Sequence, residues 1–125
     1  MTTATAAETS WPVAGLFLDA LTRRDFTALA NCLDPAVRMR ALVPPGPFEL
    51  NGPDDVVAKF RMWFDKPGHF EVLDASIGVV GARTYLRWRI QSQSRFCEQH
   101  VYVNADNHFR AFDLLCSGFQ EGVSS

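Results

Sequence analysis

His100 and Asp113, near the C-terminal end, are two side chains whose types could together move a proton. They flank Asp106-Asn107, a dipeptide suited to a tight hairpin turn. A two-residue turn there sets His100 opposite Asp113, Gln99 opposite Leu114 and Cys97 opposite Cys116, with cross-strand neighbours ~5 Å apart at Cβ. In that register the Asp113 carboxylate can fix the imidazole tautomer of His100 and raise its basicity, a common way to build a general base. The same alternation supports a purely structural role. Cys97, Gln99 and Val101 share the more apolar face with Phe112, Leu114 and Cys116, so His100 and Asp113 would point away from the core and satisfy each other on the outer face or at a dimer interface.

Arg40 could hold a carboxylate or enolate oxygen at a pocket mouth through its planar guanidinium, or could meet solvent. Asp19, among Phe17, Leu18 and Ala20, is a further candidate base if it turns inward, and an ordinary exposed helix residue if it does not. Cys97 and Cys116 could be oxidised to a cross-strand disulfide, while packing of two small buried thiols accounts for them equally. Neither has a local Cys or His at metal-ligand spacing, so the expectation is no metal and no cofactor.

Positioning these residues falls to elements with distinct periodicities. Ser10 and Pro12 suit a helix start, and Val13, Leu16, Phe17, Ala20 and Leu21 then form one apolar stripe, predicting a helix over 11–23. Asp25 is a second N-cap, followed by Phe26, Leu29, Ala30 and Leu33 on one face until Pro35 stops the helix. A strand follows over 37–42, and Pro44, Pro45, Gly46 and Pro47 force an irregular loop, a candidate pocket lip. Gly52 and Pro53 open a third helix carrying Val56, Val57, Phe60, Trp63 and Phe64, which Lys66, Pro67 and Gly68 close. Strands over 70–80, 83–91, 95–105 and 108–118 then form an antiparallel meander, turning at Gly81-Ala82, at 92–94 and at Asp106-Asn107.

At 125 residues and 47% hydrophobic content the chain can fill one core without a staple, giving a single domain over 11–119 with a flexible leader (1–10) and a loose tail (120–125). The formal net charge of −2 provides no global positive field, so nucleic acid is not an expected partner. Apolar runs end well short of the ~20 residues of a membrane span, and the N-terminus lacks a secretory pattern, so no membrane association is expected. An odd count of three cysteines, Cys32, Cys97 and Cys116, suits free thiols in a reducing, cytoplasmic setting.

The order helix, helix, strand, helix and long meander resembles the nuclear transport factor 2-like superfamily. FLDALTRRDFTALANCLDPAVRMRA (17–41) is similar to the family's opening, and QHVYVNADNHFRAFDLLCSGF (99–119) to the closing hairpin of its SnoaL-like branch. The resemblance implies an α+β fold in which a curved antiparallel sheet wraps three helices into a cone with an apolar pocket. For a ketosteroid isomerase it would ask for a tyrosine on the first helix, an aspartate on the first strand and a protonated aspartic acid on the penultimate strand. Phe17, Arg40 and Gln99 stand there instead, which removes that proton chemistry. The acid that cyclases and epoxide hydrolases of the superfamily place near the end of the last strand is replaced by Cys116, Ser117 and Gly118.

The expected pocket lining is Phe17, Leu21, Met39, Phe60, Trp63, Phe64, Cys97, Gln99, Val101, Phe112, Leu114 and Cys116. An open cone would leave a cavity of at least ~300 Å³ against Phe17, Phe60, Trp63, Phe112 and Leu114. Two functions fit these features. One is binding of an apolar small molecule, with isomerase, cyclase or dehydratase chemistry by proton transfer on a carbonyl compound. The other is a non-catalytic ligand-binding or dimerisation module. Tyr85 or Trp88, Phe96, Tyr102 and Leu115 on the outer sheet face predict a homodimer through that face.

Overall fold

The spacing of apolar residues along the first third of the chain builds two helices at a sharp corner. In a computed structural model, which describes residues 6–44 and 46–121, α1 spans Ala6–Arg23 and buries Val13, Ala14, Phe17, Ala20 and Leu21. Leu16, expected on that stripe, is 63% exposed, and Ala14 takes its place. The helix starts before Ser10, so Ser10 is not its cap and Pro12 lies inside it. Of the expected leader, residues 1–5 lie outside the described residues. Asp25 does cap α2 (Phe26–Asn31), its Oδ1 accepting from the Ala28 N–H at 3.1 Å. Arg24 turns the corner with φ +51° and donates to the carbonyls of Phe64 and Lys66 at 3.2 and 2.9 Å, tying the corner to the far end of α3 (Pro53–Phe64). Gly52 caps α3 at φ +87°, a conformation a side chain would strain.

Pro35 does not stop α2. The helix ends at Asn31, and Leu33 already belongs to β1 (Leu33–Leu42), where Pro35 sits within an irregular stretch between Leu33 and Arg38 that needs no N–H from it. After the proline loop comes β2 (Phe48–Asn51), a short edge strand not expected from the sequence pattern. The meander follows as β3 (Phe70–Val80), β4 (Arg83–Ser92), β5 (Arg95–Ala105) and β6 (Phe109–Cys116). Residues Gln120–Glu121, expected in the tail, form β7 against β5, and 122–125 lie outside the described residues.

The seven strands form one curved, unclosed sheet in the order β2-β1-β6-β5-β4-β3, with β7 also on β5. The sheet is mixed rather than antiparallel, because β1 lies parallel to β6. These two strands are linked through α3 and the whole meander instead of a hairpin, so no turn imposes opposite directions on them.

The three helices cover one face, and aromatic rings fill the cone between. Phe17 packs against Phe109, Phe60 and Trp88 with ring centroids 5.0, 5.7 and 5.8 Å apart. Phe60 also meets Trp63 at 5.4 Å and Phe64 at 6.2 Å. Trp88, read as a candidate for the outer face, is buried here and donates from Nε1 to Gln99 Oε1 at 2.8 Å, pairing two of the few polar groups inside the cone.

Candidate functional site

The ionisable side chains of the sheet gather on the face away from the helices, where alternation along β4, β5 and β6 sends every second residue outward. His100 and Asp113 share this face, as the alternation required, but they are not opposite one another. The β5–β6 loop takes three residues, 106–108, and a bulge between Asn104 and Ala105 adds another step, so Tyr102 faces Asp113 and His100 faces Leu115. Cys116 likewise faces Gln99 rather than Cys97, and Leu114 faces Val101 rather than Gln99. A total slip of two residues changes each partner and preserves each face.

His100 finds other partners. Its Nε2 lies 2.7 Å from Glu98 Oε2, and its Nδ1 shares a hydrogen bond with the Tyr85 hydroxyl. Glu98 also lies 3.4 Å from Arg87, and its carboxyl is held below its ordinary range, first by the hydrogen bond from His100. Burial pushes the Tyr85 phenol up. Glu98 was within reach of sequence reasoning as the residue two before His100 on the same face. Tyr85 was not, because it reaches His100 diagonally across a register that pairs Arg87 with His100.

Asp113 serves two arginines. Arg40 grips it with both oxygens engaged, Nε to Oδ1 at 2.7 Å and Nη2 to Oδ2 at 2.9 Å, across the parallel β1–β6 pair. Arg83 adds a bond to Oδ2 at 3.0 Å and another to the Tyr102 carbonyl at 2.8 Å. The Arg40 hydrogen bonds hold the Asp113 carboxyl below its ordinary value against an opposing effect of burial. Arg38 borders the same recess, and the buried Arg83 Nε has no hydrogen-bond partner among the described residues.

Two grooves run along this face and share Leu42 and Leu115. The first, about 490 Å³, is lined by Arg40, Asp113 and Glu49 and by the apolar Leu42, Phe48 and Leu114 among others. The second, about 470 Å³, continues past Pro44 to Glu98, His100, Cys116 and Ser117. Gly118, at φ +78°, brings the end of β6 so close to the loop that an added Cβ would meet Pro44 Cγ at 3.1 Å.

The remaining expected site residues are spread over the molecule. Asp19 is exposed on α1 and paired with Arg23 at 2.8 Å, away from both grooves. Phe17, Leu21, Met39, Phe60, Trp63, Phe64, Gln99, Val101 and Phe112 belong to the packed interior, whereas Leu114 and Cys116 each border an outer groove and Cys97 a third recess beside Phe96. No helix among the described residues is long and apolar enough to cross a membrane.

A cone of three helices against a curved, open sheet defines the nuclear transport factor 2-like class. The sequence pattern of the SnoaL-like domain matches residues 14–114, and the chain belongs to that family. No curated protein matches it. Among solved structures, a candidate ketosteroid isomerase from Kribbella flavida is similar at a TM-score of 0.70 and 16% identity, with 97% of this chain and 84% of that one covered. An NTF2-like protein of unknown function from Burkholderia xenovorans gives 0.70 at 15% identity, covering 98% and 91%. A candidate polyketide cyclase from Xanthomonas campestris pv. campestris gives 0.68 at 10%, covering 89% and 92%. At such identities these likenesses show the shared fold and carry no activity across.

Proposed function

We propose that this domain binds an apolar small molecule bearing a carboxylate or enolisable carbonyl oxygen, in the outer-face groove between β1, β2 and β6. The observation that carries the reading is an apolar-walled groove of about 490 Å³ that shares Arg40 and Asp113 with a neighbouring recess lined also by Arg38 and Arg83. Arg40 lines both the groove and the recess, so its guanidinium is the group that would meet a ligand oxygen there. Where proton transfer follows binding, His100 in the adjoining groove, oriented by Glu98, is the group to accept or deliver the proton. Aromatic carboxylates should raise the melting temperature in a saturable way, since binding to the native state alone stabilises it. Arg40→Gln should weaken carboxylates about tenfold or more and leave matched neutral amides unchanged. His100→Ala should keep the affinity and abolish exchange of the ligand's acidic carbon-bound hydrogen. No shift with either compound class would sink the reading.

A second reading, a dimerisation module, is favoured by what else occupies this face. Leu42 and Leu115 are 56% and 44% exposed, with Phe96 and Leu73 further along. The face's carboxylates Asp74, Glu98 and Asp113 are each already paired with arginines of the same face, so these charges could be covered by a second copy without losing their partners. Sedimentation velocity at micromolar concentration should then show twice the chain mass, reduced to a monomer by Leu115→Glu with circular dichroism unchanged. A wild-type monomer would remove this reading and leave the groove free for a ligand.

A further inference from the structure

The two edges of the sheet are built differently. β2 is four residues long, follows Pro47 directly and carries the exposed Glu49, so it has the usual devices that keep an edge from pairing with another chain. β3, at the other end of the strand order, is eleven residues long and pairs with β4 from Phe70 to Val80, with no strand of the described residues on its other side. Alternate residues of such a strand turn their N–H and C=O groups away from the neighbour, which leaves about half of them on the free edge. The first half of β3 is guarded by Glu71 and Asp74 and by a bulge between Val72 and Asp74. Residues 75–80 have no charge, no proline and no break in register. Ile77 and Val79 lie on the face where their β4 partners Leu86 and Thr84 are buried, yet they are 40% and 47% exposed.

We propose that this half of β3 pairs with β3 of a second copy of the chain, antiparallel about a two-fold axis at Gly78, so that two curved sheets join edge to edge. Gly78 is the independent observation. Its φ is not positive, and an added Cβ would come no nearer than 3.9 Å to Tyr85 Cδ1, so neither turn geometry nor packing within the chain calls for glycine there. Glycine inside a regular strand marks a close approach by another backbone. About this axis Ile77 stands opposite the partner's Val79 and Val79 opposite the partner's Ile77, so two β-branched pairs meet on one face. Asp74 stands opposite the partner's Ala82, which sets the two aspartates ~27 Å apart along the strands. The charge-free stretch thus supplies both sides of the pair without bringing like charges together. The contact lies at the opposite end of the strand order from β1 and β2 and leaves both outer-face grooves open.

Sedimentation equilibrium and hydrogen exchange on the full chain test this between ~5 and ~500 μM, a range suited to a contact smaller than the ~1,200 Å² of a standard interface. Wild type should associate, and amides within 75–80 should exchange at least ~tenfold more slowly at the top of the range than at the bottom. Leu115→Glu, which removes association through the outer face, should keep that protection and reach twice the chain mass. Val79→Lys, at an exposed position, should keep its circular dichroism, lose the protection and need at least ~tenfold more protein to associate. Gly78→Cys should form, on mild oxidation, a disulfide between the two copies of residue 78. A wild-type monomer at the highest concentration, protection that vanishes in Leu115→Glu, or protection that survives Val79→Lys would each overturn the proposal.

Discussion

Phe17→Ala should lower the free energy of unfolding by about 3–5 kcal/mol, since it removes a fully buried ring from a site that cannot collapse around the gap. Phe60, Trp88 and Phe109 each contact that ring from a different element, α3, β4 and β6, so no single side-chain rotation refills its place. Against a total stability of ~5–15 kcal/mol for a domain of this kind, the loss should move the melting temperature by about 10–20 °C. The vacated space is lined by aromatic and aliphatic groups and should stay dry, so benzene should raise the melting temperature of the variant. Wild type should not respond, because its own rings occupy the volume. Equal stabilisation of both by benzene would mean that the cone is already open and would restore the cavity expected from sequence. A loss below about 1 kcal/mol would contradict the packing described for Phe17.

Asp113→Asn should cost about 1–2 kcal/mol near neutrality, because charge-assisted hydrogen bonds from two guanidiniums outweigh an ordinary surface pair while the 30% exposure of Asp113 screens part of their strength. Arg83 suffers most from the change. Two-thirds buried, it keeps only the Tyr102 carbonyl and the Tyr102 ring, 5.9 Å away, as compensation for its charge. The pH dependence has a definite sign. Asp113 is held below its ordinary value of 3.8 in the folded protein, chiefly by the Arg40 hydrogen bonds. Its contribution is therefore complete above that value and disappears as the pH falls through the lower folded one. Urea midpoints should show wild type ahead of Asp113→Asn near neutrality, with the gap closing in acid well below 3.8. A gap of constant size across that range would mean that the carboxylate's charge is not what the arginines recognise.

Much of the architecture was legible because it depends on local patterns. Gly52-Pro53 marks the start of α3, Asp25 the cap of α2, and the alternation in β5 separates Cys97, Gln99 and Val101 from Glu98 and His100 without reference to anything distant. Pro35 misled because a proline that ends a helix and one that sits in an irregular strand segment look alike in sequence. β2 escaped notice because a four-residue edge strand after three prolines has too few alternations to register.

The site divides along the same line. Alternation in the sequence pointed His100 and Asp113 away from the core unless a bulge reset it, and because the loop and the bulge together slip the register by an even two positions, both stay on that face. Their partners were decided by tertiary structure: a three-residue loop and one bulge shifted β6 by two positions, and the parallel placement of β1 brought Arg40 to Asp113 from seventy-three residues away. Whether the aromatic residues line a cavity or fill it was likewise decided only by packing, because the same rings at the same spacing serve either purpose until three helices and a curved sheet fix how much volume lies between them.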